Sequence, residues 1–259
     1  MTATGQAPVI FINGLIGTLK CQLIEQALAG RPCEAPDLLG YGSLTGVGAD
    51  SIGIAAQVEH IEQWIGQRFG PRQVHVVGHS VGGVVAYLFA LCHPQRVLSL
   101  ISVEGNFSLK DAFWSSSVAR SPAHEVAALL TGYQAQPRTW LARSGLEGEP
   151  ALLDRAARWL GHQPASTLQA MARSVVAVTA SPDYPQQLQA LFKQVPVHLL
   201  AGEQSLAGWD VPAWAREMAE GVTVMPGCGH LMMLEDPLGF GQQVAAILER
   251  LEERKHVAL

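Results

Sequence analysis

Residues 74–84 read VHVVGHSVGGV, and no other stretch restricts the fold of this chain so tightly. A β-branched apolar run (Val74, Val76, Val77) stops at Gly78, and an apolar helical pattern (Val84, Val85, Leu88, Phe89, Leu91) begins just past Gly82. A strand that turns directly into a helix pushes its turn residue, Ser80, into a strained and exposed position. Gly78 and Gly82 belong there because a side chain at either place would collide with the crowded backbone of the turn. The outcome is a serine hydroxyl at the tip of a sheet, beside the free N–H groups of a helix N-terminus. This is the arrangement of a nucleophile elbow.

A sheet of that kind needs partners for its strand. Residues 8–12 (PVIFI) and 97–103 (VLSLISV) are short, almost continuously apolar runs, as expected of parallel strands covered on both faces. Between them lie helical patterns at 20–29 and 54–69, the second closed by Gly70-Pro71. Further strands are expected at 197–200 and 222–225, with a helix at 211–220 between them and an amphipathic helix at 238–254. Strands alternating with helices argue for an α/β fold with a doubly wound, mostly parallel sheet and right-handed crossovers. Past Asn106 the alternation lapses. Helical stretches at 121–130, 137–143, 151–160 and 167–176 dominate, with one short strand candidate at 175–178. A loop of that length is improbable, so residues 107–191 are expected to form a helical cap inserted into a core made of 1–106 and 192–259.

A serine hydroxyl is a weak nucleophile until a base takes its proton. Of the nine histidines, His230 stands in a Gly-bracketed loop (GCGHLMMLEDP) directly after the last expected strand. That puts it at the carboxyl edge of the sheet, where Ser80 must also lie. His60 and His75 fall within a helix and a strand and read as structural, while His79 lies in the elbow but faces away from the serine. The histidine in turn needs a carboxylate to fix its tautomer. Chain order and reach favour Glu104, at the end of the strand after the elbow helix, with Asp210 and Glu203 as alternatives. After the 197–200 strand, where a Gly-Glu-x-Asp sequence would be expected, the chain has Ser205 in the Asp place. Backbone N–H groups of Val81 and of Leu15, behind Asn13-Gly14, are positioned to receive an oxyanion. Phe113, Trp114, Tyr133, Trp140 and Trp159 are candidates to line an apolar pocket beneath the cap.

The Asn13-Gly14 loop, the DLLGYGS loop at 37–43, the elbow around Ser80, and Gly229-His230 followed by Glu235-Asp236-Pro237 together resemble α/β-hydrolase-fold serine hydrolases over nearly the whole chain. Two departures stand out: Asn13 replaces the usual His before Gly, and Ser205 occupies the commonest acid position. Some members of the fold place a Glu after the strand that follows the elbow, which is where Glu104 falls. The resemblance implies a cofactor- and metal-independent enzyme cleaving a carboxylic ester, thioester or lactone with an apolar acyl or aromatic group. Acyl transfer or lyase chemistry, or a non-catalytic small-molecule binder, are the alternatives.

Composition agrees with a protein that acts on small molecules. Hydrophobic residues make up 48% and charged residues 15% of the 259 residues, enough for a large core. A net charge of −5 without any Lys/Arg cluster disfavours a nucleic-acid partner. Cys21, Cys33, Cys92 and Cys228 show no paired spacing and read as free thiols. The opening MTATGQAP lacks a leader pattern and no apolar run reaches about 18 residues, so a soluble cytoplasmic protein without membrane contact is expected.

Overall fold

A computed structural model describes residues 5–257. Its centre is a six-stranded parallel sheet of β1 (Val9–Ile12), β2 (Cys33–Glu34), β3 (Val74–His79), β4 (Val97–Val103), β5 (Val197–Gly202) and β6 (Gly221–Met225), ordered β2-β1-β3-β4-β5-β6. Every residue of β1, β3 and β5 is buried, which explains their largely apolar sequences, interrupted only by His75, His79 and His198 among charged or polar side chains. At the sheet edge, β6 alternates, with Val222 and Val224 exposed. The two-residue edge strand β2 carries no apolar run, and the sequence pattern does not show it.

The chain runs from β1 outward to β2, returns past β1 to β3, and then steps through β4, β5 and β6 in the other direction. Right-handed crossovers therefore put α1 (Gln22–Ala27) on one face of the sheet. On the other face lie α2 (Ile54–Phe69), α3 (Val81–Cys92), α9 (Tyr184–Gln194) and α10 (Ala213–Met218). After the short α11 (Met232–Glu235), the C-terminal helix α12 (Pro237–Val257) packs beside α1. The reversal of strand order lies between β1 and β3, and at such a switch point the carboxyl ends of the strands leave a crevice. Ser80 follows β3 directly.

Between β4 and α9 the chain forms α4 (Phe113–Arg120), α5 (Ala123–Ala135), α6 (Pro137–Ala142), α7 (Pro150–Leu160) and α8 (Ala165–Thr179). The strand expected at 175–178 is instead the last turn of α8: its β-branched residues continue a helical face on which Leu168, Met171 and Val175 are buried. The expected boundary at 191/192 falls inside α9, which packs against α3 and α10 and so belongs to the layer flanking the sheet. The 211–220 helix is shorter than expected, because Pro212 precedes its first turn and Ala219 is already extended.

Candidate active site

The elbow forms as its glycines require. Ser80 has φ 53° and ψ −122°, and its N–H donates to the Val103 carbonyl at 3.0 Å. A methyl group on Gly82 would overlap the Asn13 carbonyl oxygen, and one on Gly83 would lie 2.5 Å from the Gly105 Cα. The two glycines thus let the turns after β1 and β4 close onto the N-terminus of α3. Among described residues only Ala29, Ser80 and Glu104 have positive φ without being glycine. Such conformations cost on the order of 1–3 kcal/mol and concentrate at functional sites. Two of the three here are residues singled out for their chemistry.

His230 and Glu104 are brought together. Glu104 Oε2 accepts from His230 Nδ1 at 2.6 Å, across 126 residues of sequence. The carboxylate side chain is 4% exposed and the imidazole 40%. Burial alone would raise the Glu104 carboxyl, but hydrogen bonds from His230, Ser205 and Gly202, together with the charge of the imidazole, hold it below the ordinary carboxylate range. Because Nδ1 carries the proton given to Glu104, Nε2 is left as the basic nitrogen. Ser80 and His230 line one cavity. No hydrogen bond joins their side chains among the described residues.

The alternative carboxylates are engaged elsewhere. Glu203 Oε2 accepts from the Gly227 N–H at 2.8 Å, and Asp210 Oδ2 accepts from Ser108 Oγ at 2.7 Å. Neither touches His230. Both follow β5, whereas Glu104 directly follows β4, the strand between β3 and β5.

The cavity over Ser80 has a volume of about 480 Å³, within the range of small-molecule sites. Leu15, Ile16, Val81, Trp140 and Trp159 give it an apolar wall, and Phe113 and Trp114 also reach it. Tyr133, expected among these rings, does not: it is buried on α5 within the helical block, because the face of α5 that carries it turns toward the core. Asn106 lines the cavity while 3% exposed, and its Oδ1 has no partner.

The N–H of Val81 is the first of α3, where no carbonyl lies one turn back to accept it. The N–H of Leu15 makes no hydrogen bond to any other described group. The loop carrying Leu15 is tied down from two sides. Tyr41 Oη donates to the Leu15 carbonyl at 3.0 Å, and the Gly17 N–H donates to Gln163 Oε1 at 2.8 Å. The first contact gives the 37–43 loop a task, and the second anchors the helical block to the turn after β1. No local pattern marks Gln163, whose contact spans 146 residues.

His79 has a part the sequence does not disclose. Its ring lies 4.7 Å from that of His230, and its Nε2–H donates to the His230 carbonyl at 3.0 Å. Burial, and secondarily the nearby His230, push its pKa down to about 3. Burial thus favours the neutral ring, which donates to the His230 carbonyl and ties the His230 loop to the elbow.

A parallel sheet with a serine on the turn after its central strand, and a His–Glu pair drawn from the ends of β6 and β4, defines an α/β protein of the serine-elbow class. The chain belongs to the alpha/beta hydrolase family, whose model matches residues 9–242. It is 30% identical over 156 residues to a pimeloyl-[acyl-carrier protein] methyl ester esterase of Aeromonas hydrophila, a match covering 57% of this chain and 58% of that protein. A carboxylesterase structure from Nitrososphaera gargenis superposes with a TM-score of 0.75 at 17% identity, covering 96% of this chain and 92% of that one. An evolved variant of potato epoxide hydrolase superposes with a TM-score of 0.71 at 18% identity, covering 95% and 93%. At these identities the structural likeness speaks for the fold, which hosts more than one reaction. Among the described residues no His/Cys/Asp/Glu group is arranged to hold a metal ion, and no helix is long and apolar enough to cross a membrane. All four cysteines are free.

Proposed function

We propose that the protein hydrolyses a carboxylic ester, thioester or lactone through an acyl-enzyme on Ser80. The observation that carries this reading is the 2.6 Å contact of His230 Nδ1 with a buried carboxylate, in the same cavity as an elbow serine. Glu104 holds the tautomer in which Nε2 is basic, and Nε2 takes the Ser80 proton as Oγ attacks the carbonyl carbon. Such serine–histidine contacts tighten in the Michaelis complex. The carbonyl oxygen becomes an oxyanion between the N–H groups of Val81 and Leu15. His230 then returns the proton to the departing alcohol or thiol. Water, deprotonated by the same nitrogen, releases the acid.

Leu15, Ile16, Trp140 and Trp159 favour an acyl or aromatic group without charge, and the helices α4 to α8 act as the cap enclosing it. The similarity to an esterase of an acyl methyl ester points the same way. An epoxide hydrolase on this fold attacks with an Asp at the elbow, so Ser80 favours acyl chemistry. Replacing Ser80 by Ala abolishes hydrolysis of p-nitrophenyl butyrate and covalent labelling by a fluorophosphonate. Retention of either overturns the proposal.

A further inference from the structure

The Glu104 carboxylate divides its two oxygens between two structures. Oε2 faces His230, while Oε1 accepts from the Gly202 N–H at 2.8 Å and from the Ser205 hydroxyl at 2.5 Å. We propose that Ser205 is a positioning residue: its hydroxyl fixes the Glu104 carboxylate so that the second oxygen meets His230. This rests on the Ser80 hydrolase reading above.

The need for such a clamp follows from where the acid is attached. A Glu reaching from β4 has one more torsion than an Asp, and its terminal torsion is broad, without sharp staggered wells. One donor on Oε1 holds an atom but lets the carboxylate plane swing about it. A second donor, converging from a different direction, holds the plane as well. Gly202 supplies the first through backbone and Ser205 supplies the second through a side chain. An Asp at 205 would instead place a second negative charge against Oε1, so Ser205 and Glu104 are a matched pair of residues.

Within the turn after β5 the hydroxyl also lies 3.3 Å from the Gly202 carbonyl, but stronger contacts that do not involve it set the shape of the turn. The Ser205 carbonyl accepts from the Gly208 N–H at 2.9 Å, the Gln204 N–H donates to the Cys228 carbonyl at 2.9 Å, and Trp209 Nε1 donates to the Gly105 carbonyl at 2.8 Å. Removing Oγ therefore loosens the carboxylate without dismantling the loop.

The test is steady-state hydrolysis of p-nitrophenyl butyrate by the wild type, Ser205→Ala, Ser205→Thr, Glu104→Gln and the double variant Glu104→Gln/Ser205→Ala, with Ser80→Ala as a reference. Loss of one donor to an ionised carboxylate lowers kcat of Ser205→Ala roughly tenfold with KM nearly unchanged. Ser205→Thr, which keeps the hydroxyl, recovers most of that loss. In the Glu104→Gln background the Ser205→Ala change costs less than about twofold, because residues acting through one another are not additive. A wild-type kcat in Ser205→Ala, or the same tenfold loss on top of Glu104→Gln, overturns the proposal. Hydrolysis surviving in Ser80→Ala overturns the parent reading and this one with it. Activity lost in Ser80→Ala but intact in Ser205→Ala sinks the Ser205 assignment alone.

Discussion

Replacing Glu104 by Gln is the sharpest probe of the site, because the change keeps shape and removes charge. The carboxylate accepts three hydrogen bonds, from His230 Nδ1, the Gly202 N–H and Ser205 Oγ. A carboxamide has one acceptor oxygen. If that oxygen faces Gly202 and Ser205, the NH₂ group faces Nδ1 and forces the proton onto Nε2, where the base must be free. If it faces Nδ1, the NH₂ group opposes the fixed Gly202 N–H at close range. Either way the charge that stabilises the imidazolium is gone. Charge centres roughly 4 Å apart at an effective dielectric near 20 attract by about 4 kcal/mol, which corresponds to roughly a thousandfold in rate. The assay is kcat for p-nitrophenyl butyrate at a fixed, mildly alkaline pH, with Asp210→Asn alongside. Asp210 is bound to Ser108, so its variant stays within about twofold of the wild type, as distant substitutions do. A Glu104→Gln enzyme within about tenfold of the wild type, or a collapse in Asp210→Asn, refutes the assignment.

Other consequences are equally direct. His79→Phe keeps the ring beside His230 but loses the donor to its carbonyl, so kcat falls about tenfold. The acidic limb of its pH–rate profile does not move, since a group with a pKa of about 3 does not titrate there. Trp159→Ala removes a buried ring packed at 6.4 Å from Trp140, costing about 3–5 kcal/mol in urea denaturation. The same change shifts preference among p-nitrophenyl esters toward longer acyl chains, because Trp159 walls the cavity. Glu252 is held below the ordinary carboxylate range, first by its hydrogen bond from the buried Arg31. A depressed acid contributes stability above its unfolded pKa and loses it as pH falls through the folded one. Glu252→Gln is therefore less stable than the wild type at pH 7 by about 1–3 kcal/mol, and the gap in unfolding midpoint closes as the wild type is acidified.

The fold was legible in this chain wherever burial wrote itself into local composition. β4 coincides with the apolar run at 97–103 and α2 with the helical face at 54–69, because covered strands and amphipathic helices each have one way to distribute apolar residues. The pattern failed where burial did not decide the structure. The two residues of β2 are half-buried, so nothing marks them as a strand. The 175–178 run failed for the opposite reason: β-branched residues favour strands only weakly, and packing of α8 against α4 overrides the preference. Ends of elements were similarly invisible where a tertiary contact, as for α9 on α3, sets them.

The site divides along a related line. Ser80 was readable because its chemistry demands glycines within two residues, and His230 because a loop at a strand end brackets it with glycines. Glu104 was readable only as a position at a strand end. The groups that hold the Glu104 carboxylate are absent from its neighbourhood in sequence: the Gly202 N–H and the Ser205 hydroxyl lie 98 and 101 residues away. The same holds for His79, whose partner is 151 residues distant, and for Gln163 under the Gly17 turn. Local sequence therefore announces groups that need special backbone, while groups that serve by holding another residue have no local signature. Ser205 is the informative exception. It stands where the resemblance expects an acid, and its hydroxyl meets the carboxylate that stands one strand away. On the proposed mechanism, an acid carried by β4 has to be held in the plane of the imidazole, and the Ser205 hydroxyl on the turn after β5 is placed to hold it.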